Sequence, residues 1–145
     1  MQLPHPLARL AGCCWLPRHV AKTRIYLRGA MPFTYRIALG SRIGVDGHFF
    51  RHFGLDKKQV LAAIRARPDD AAIAEWFRQQ PGVTPECIKT WNDFAPRLGI
   101  KGHPGYVTRQ IVKWFLYPRA LRQPVDSIFA AIIQDEGLPA EPAID

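Results

Sequence analysis

Residues 46–69, DGHFFRHFGLDKKQVLAAIRARPD, contain the pattern that decides the fold. Asp46 is suited to cap a short helix that runs to about Phe53, and the glycine that follows is suited to end it. Asp56 then caps a second helix over about residues 57–67, whose apolar side chains recur every three or four residues. This stretch therefore predicts two short helices joined by a tight turn.

The same alternation of capping residues and apolar repeats extends in both directions along the chain. One further helix begins at Thr84-Pro85, because a hydroxyl caps free N–H groups and proline suits a first helical turn, and it ends before Pro96. Other helices are predicted over about residues 17–28, 70–80, 106–117 and 125–136.

The sequence as a whole predicts an all-α protein. About six or seven short helices form a single compact domain over residues 1–137, followed by a flexible tail at residues 138–145. Residues 30–45 are predicted to be an irregular loop, with weak strands over residues 33–43 as the alternative. The chain has 145 residues, of which 48% are hydrophobic, and this is enough for a core without disulfides.

Composition excludes several classes of protein. No stretch approaches the ~20 apolar residues of a membrane helix, so no membrane partner is expected. The three cysteines do not make a disulfide framework or a zinc cluster, and no cofactor motif is present. Cys13 and Cys14 are neighbours and Cys87 stands alone, so all three are predicted to be reduced. With no signal peptide at the start, these thiols predict a cytoplasmic protein.

Charge is distributed unevenly along this chain of net charge +8. Residues 1–45 carry seven basic residues and no acid, and residues 94–125 carry six bases and no acid. Residues 126–145 carry five acids and no base. The two basic segments would attract anions if they shared a face, whereas an acidic end that folds back over one of them would neutralise it.

The first predicted helix carries the main candidate site. Its apolar residues fall on one face and four basic residues fall broadly opposite, among them Arg18 and Lys22. A helix start attracts anions, so a phosphate or carboxylate ligand is predicted in a pocket with Arg18, Lys22, Tyr35 and Asp46. The alternative is that this helix makes an internal ion pair with Asp46, Asp93 or Asp135.

Two other functions remain open. Residues 97–122 mix basic and aromatic side chains, which suits contacts to nucleic-acid phosphates and bases. The basic residues for this role are Arg109, Lys113, Arg119 and Arg122. A helix face could instead dock a protein partner. No nucleophile–base pattern, phosphate loop or dinucleotide fingerprint is present, so the sequence does not decide whether the protein is an enzyme.

Three further side chains have a structural interpretation. His48 and His52 are four residues apart, but the glutamate of a zinc-binding HExxH motif is missing, so no metal site is predicted. Trp91 lies on the apolar stripe of its helix, and it is predicted to pack in the core with its indole N–H hydrogen-bonded.

Several short motifs resemble a known bacterial family. They are WLPR at residues 15–18 with Lys22 and Arg24, Gly29 with Tyr35, Asp46 with FF at 49–50 and FGLD at 53–56, and DEG at 135–137. Over about residues 7–137 the chain resembles DUF5069, a family of unknown function. It departs from the family at residues 36–42 and 101–122. The resemblance implies a small helical bacterial protein and supplies no catalytic residues.

Overall fold

The computed structural model describes residues 2–107, 109 and 126–143. Within them lie seven α-helices, a short 3₁₀ turn at Ala95–Arg97 and a two-stranded sheet, so the prediction of a mostly helical single domain is confirmed. The elements are β1 (Arg9–Leu10), β2 (Cys13–Cys14), α1 (Leu16–Leu27), α2 (Phe33–Ala38), α3 (Val45–Phe53), α4 (Lys57–Ala66), α5 (Asp70–Arg78), α6 (Pro85–Phe94) and α7 (Ile128–Asp135).

Side-chain caps start four of the helices. Asp56, Asp69, Thr84 and Ser127 each accept a hydrogen bond from the backbone N–H three residues later, at the starts of α4, α5, α6 and α7. These bonds satisfy N–H groups that a helix start leaves unpaired. The predicted cap at Asp46 is wrong: α3 begins after Gly44, and the Asp46 side chain turns into the interior.

Two local elements differ from the prediction. The loop predicted over residues 30–45 contains α2, and no strand forms among residues 33–43. The antiparallel pair β1–β2 was not predicted, because two-residue strands are too short for a periodic signal. Ala11 and Gly12 make its turn with φ of 55° and 75°, the left-handed geometry of a tight hairpin.

An aromatic cluster forms the centre of the core. The Phe49 ring lies 5.2 Å from Phe53, 5.9 Å from Phe77 and 5.4 Å from Trp91, measured between ring centroids. Trp91 is fully buried, and its indole N–H donates to the Cys14 carbonyl at 2.9 Å. The predicted core role of Trp91 is confirmed, and this bond joins α6 to the hairpin.

The cysteines are free thiols, as predicted, with Cys13 and Cys14 buried and Cys87 half-buried. Burial raises the pKa of Cys14 to about 12, and it raises the pKa of Cys13 as well. No helix among the described residues has the length and hydropathy needed to cross a membrane. Of the helix predicted over residues 106–117, residues 106, 107 and 109 are helical, and the others lie outside the described part of the chain.

Candidate functional site

Asp46 is the centre of a buried polar network. Its carboxylate accepts hydrogen bonds from the Trp15 indole N–H at 2.7 Å and from the Gly40 backbone N–H at 2.8 Å. The Lys22 ammonium lies 3.1 and 3.2 Å from the two carboxylate oxygens. His19 Nδ1 lies 3.0 Å from Asp46 Oδ1, within ion-pair distance, although the pair is not aligned for a hydrogen bond. The carboxylate therefore has partners from α1 and from the α2–α3 loop.

The protonation of this network follows from burial and charge together. Burial alone would raise the pKa of Asp46, but the nearby His19 ring and Lys22 ammonium, together with the donated hydrogen bonds, hold that pKa well below 3.8. Burial lowers the pKa of Lys22, and the Asp46 charge opposes this change. Asp46 is therefore held as a carboxylate, and each charge compensates the other in the low-dielectric interior.

A second branch of the network connects α1 to the end of α7. The Arg18 guanidinium, 2% exposed, pairs through both Nη atoms with the Glu136 carboxylate and donates to the Pro4 carbonyl at 3.0 Å. The Tyr35 hydroxyl donates a long hydrogen bond, 3.5 Å, to Glu136. Burial and the Glu136 charge raise the pKa of Tyr35. Glu136 therefore holds one residue from α1 and one from α2.

The Trp15 ring lies between the two branches. Lys22 Nζ is 4.7 Å and the Arg18 guanidinium carbon 5.7 Å from its centroid, so both cations contact the negative face of an aromatic ring. Phe129 of α7 stacks on the same ring at 5.3 Å. We call the side chains of Arg18, His19, Lys22, Asp46 and Glu136 the buried ion network.

The structure thus brings together all four residues of the predicted anion site. Arg18, Lys22, Tyr35 and Asp46 are joined through shared partners, but each faces another protein group. That they bind a ligand stays a prediction. Asp46, one of the internal partners considered, does pair with α1. Sequence reasoning missed Glu136, which follows Asp135 in the DEG motif, and it missed His19, for which the sequence carried no signal.

A cavity of about 210 Å³ lies beside this network, between α1, α2, α3 and α4. His19 and Thr23 are buried residues of its lining, whereas Arg36 and Lys57 are exposed. The other lining residues are apolar or aromatic, apart from a glycine, and are Tyr26, Leu39, Gly40, Phe50 and Leu61. Because no acidic side chain among the described residues lines it and two cations are exposed beside it, we call it the cation-rimmed cavity.

Gly40 connects the cavity to the buried ion network. Its φ of 68° lies in the left-handed region, which glycine adopts without strain. Its backbone N–H donates to Asp46, and a Cβ added there would lie 2.4 Å from Lys57 Cε. The absence of a side chain at Gly40 thus lets the Lys57 side chain pass directly over the backbone toward the cavity.

The other predicted basic site is described only in part. Arg109 is 8% exposed, its Nε–H donates to the Gly99 carbonyl at 2.8 Å, and its guanidinium lies 5.6 Å from the Tyr106 ring centroid. This buried position does not suit a contact to a nucleic-acid phosphate. The remaining residues of that site, Lys113, Arg119 and Arg122, lie outside the described residues.

The two histidines of α3 have separate neighbours. His52 Nε2 lies 2.8 Å from the Cys87 carbonyl, and His48 Nδ1 lies 3.4 Å from an Arg51 nitrogen. Burial, with the nearby Arg51 charge, lowers the pKa of His48. No group of three or more histidine, cysteine or acidic side chains suited to hold a metal ion occurs in the part of the chain that the structure describes.

Comparison with known proteins agrees with the motifs and the fold. No curated protein shows a significant match to the chain. The family model described as a domain of unknown function, DUF5069, matches residues 2–138, which is nearly the whole sequence and includes every residue of the buried ion network. The chain therefore belongs to the DUF5069 family.

Proposed function

We propose that this protein binds a small organic anion, a carboxylate or phosphate with an apolar body, in the cation-rimmed cavity. The observation that carries the proposal is the composition of the cavity lining. Arg36 and Lys57 supply positive charge on its solvent side, and Leu39, Phe50 and Leu61 supply apolar surface. In the part of the chain that the structure describes, no acidic residue lines the cavity. A mainly apolar wall with a few polar groups is the usual composition of a small-molecule site.

This proposal moves the ligand from the buried ion network to the neighbouring cavity. An anion that bound Arg18 or Lys22 would have to displace Glu136 or Asp46, and this would leave a buried carboxylate without its partner. Arg36 and Lys57 can contact an anion without displacing a buried carboxylate, since their side chains are exposed beside the cavity. In this arrangement the network supports the cavity wall, and the exposed cations attract the ligand.

Benzoate is a suitable first probe, because it joins a carboxylate to an apolar ring. We expect it to shift the amide resonances of cavity residues in a saturable way, and acetate, which lacks the ring, to bind more weakly. Lys57→Ala removes a cation beside the cavity and should weaken benzoate binding about 3- to 10-fold, as expected for a lost charge-assisted hydrogen bond.

Lys58→Ala is the matched control, since Lys58 is the next residue of α4, is exposed and does not line the cavity. It should leave benzoate affinity unchanged. Equal weakening by both variants would show only a general attraction to a chain of net charge +8, and would contradict the proposal. Resonance shifts confined to residues away from the cavity would also contradict it.

Two other predictions from the sequence, a cytoplasmic location and nucleic-acid binding, remain proposals. Free thiols at Cys13, Cys14 and Cys87 support a cytoplasmic location, where cysteines stay reduced. Nucleic-acid binding through residues 97–122 rests on the mixture of basic and aromatic side chains in that segment. Its prediction is a steep decrease in affinity with rising salt, in contrast to a cavity ligand held partly by apolar contacts.

A further inference from the structure

We propose that the cavity takes up its organic anion together with a proton, and that His19 carries this proton. The inference rests on the proposed function and deepens it, because it defines the ligand as a weak acid bound as anion plus proton. Three observations support it: the position of the His19 ring, the hydrogen bonding of Thr23, and the charges that face the ring.

The His19 ring has its two nitrogens in different surroundings. Nδ1 lies 3.0 Å from Asp46 Oδ1, and that carboxylate is held ionised by its other partners. Although this pair is not aligned for a hydrogen bond, the negative charge beside Nδ1 favours a proton on that nitrogen, and it stabilises the ring when the second nitrogen is also protonated. Nε2 is therefore the nitrogen at which the protonation state changes.

Thr23 leaves Nε2 available to a ligand. Its Oγ1 lies 3.4 Å from Nε2, but the hydroxyl donates its single proton to the His19 carbonyl at 2.9 Å. The hydroxyl therefore offers Nε2 only an oxygen acceptor. Both side chains line the cavity, so a protonated Nε2 can donate to Thr23 or to an anionic oxygen of the bound molecule.

The charges around the ring make its protonation depend on the ligand. Among the described residues, Asp46 of α3 is the acidic group beside the ring, and Lys22 of α1 pairs with the same carboxylate. Arg36 of α2 and Lys57 of α4 are cations that line the same cavity as His19. Tyr26, also of α1, lines the cavity with its phenol. A bound carboxylate adds a negative charge beside the ring and favours protonation of Nε2.

The step involves only a proton and non-covalent contacts. A solvent proton binds the Nε2 lone pair as the anion enters, and the resulting N–H donates to a carboxylate oxygen. No covalent bond of the ligand forms or breaks, and the proton returns to the solvent when the ligand leaves. The proton therefore offsets the negative charge of a bound monocarboxylate, although the cavity binds the ionised form.

Titration calorimetry with benzoate measures the linked proton directly. Binding is followed at one pH near neutrality in two amine buffers whose ionisation enthalpies differ, such as Tris and triethanolamine, with chloride as the only competing anion. We expect the observed enthalpy to differ between the buffers by an amount that corresponds to uptake of a fraction of one proton per benzoate. Affinity should fall as pH rises, by at most about tenfold per pH unit for one proton.

His19→Gln keeps a polar group in the cavity but cannot change its charge. We expect benzoate to bind this variant more weakly and with no difference in enthalpy between the two buffers. His48→Gln is the control, since His48 is half-buried on α3 and does not line the cavity, and it should retain the full proton uptake. Loss of proton uptake in both variants would overturn the assignment to His19.

A measurement on the unaltered protein covers the case in which His19→Gln does not fold. In protein labelled with ¹⁵N-histidine, saturation with benzoate should move the His19 Nε2 resonance toward its protonated position. Benzoate binding without any linked proton, or with an unchanged His19 resonance, would overturn this inference and leave the proposed function intact. Absence of benzoate binding to the cavity would overturn both.

Discussion

At the scale of single residues, Asp46 is tightly constrained by its burial and its partners. It is 1% exposed and receives partners from three directions, so its charge is fully used inside the protein. An ion pair at such depth adds little stability over a well-packed apolar pair, but removal of one partner leaves the other charge buried alone. The identity of residue 46 is therefore expected to matter more than that of any exposed acid.

Asp46→Asn should destabilise the fold by about 3–5 kcal/mol, because Lys22 would keep its buried charge without a counter-charge. The measurement is the midpoint of urea unfolding at neutral pH. Asp93→Asn, at an exposed position of α6, makes the same chemical change and should alter stability by less than about 0.5 kcal/mol. Equal effects of the two substitutions would contradict the role given to Asp46.

Acidification should reveal how much Asp46 contributes to the stability of the fold. The folded protein holds the pKa of Asp46 well below 3.8, so the unfolded chain takes up this proton first as pH falls. The stabilisation is present above that ordinary value and is lost as pH falls from it toward the folded pKa. We expect the free energy of unfolding to decrease on acidification below about pH 4, less steeply in Asp46→Asn. Parallel acid profiles for the two proteins would assign the loss to other carboxylates.

At the scale of helices and turns, the sequence predicts what is encoded locally. The helices that begin at Asp56, Asp69 and Thr84 start where their capping residues stand, because an N-cap acts within three residues. Asp46 looked like another cap in the same pattern. Its role as a buried acid depends on Trp15 and Lys22, which lie more than twenty residues away, so no local pattern could reveal it.

The turn into α3 has a strict requirement for glycine at one position. A Cβ on Gly47 would lie 2.4 Å from the Arg42 carbonyl oxygen and 2.5 Å from that of Ser41. Gly47→Ala should therefore push the α2–α3 loop away from α3 and cost about 1–3 kcal/mol. Gly44→Ala is the control, because its nearest neighbour would be at 3.6 Å. The thermal unfolding midpoints of both variants test this expectation. A Gly47→Ala variant as stable as the unaltered protein would contradict it, because the loop would then move without an energetic cost.

At the scale of the whole molecule, the candidate site combines distant parts of the chain. The motif search found Arg18, Lys22, Tyr35 and Asp46, which do lie together, because charged and aromatic residues stand out in a sequence. It did not find the cation-rimmed cavity, whose lining residues come from four helices and the α2–α3 loop and belong to no common motif. A cavity arises from the way helices pack, so the spacing of residues along one helix does not predict it.

The Arg18–Glu136 pair connects α1 to the end of α7 across 118 positions of sequence. Glu136→Gln should destabilise the protein by about 1–3 kcal/mol, because a neutral amide replaces the counter-charge of a buried guanidinium. It should also increase hydrogen exchange in α7 more than in α4. Glu141→Gln, at an exposed position, is the comparison. Similar exchange in the two variants would mean that packing of Phe129 alone holds α7 in place.

This long-range pair also determines the order in which the protein can be completed during synthesis. Arg18 emerges from the ribosome more than a hundred residues before Glu136, and until then its guanidinium lacks this carboxylate partner. The pairing of Lys22 with Asp46 needs far less of the chain. Helices α1 to α6 can therefore assemble early, whereas the contact of Phe129 with Trp15 must wait for α7 to leave the ribosome.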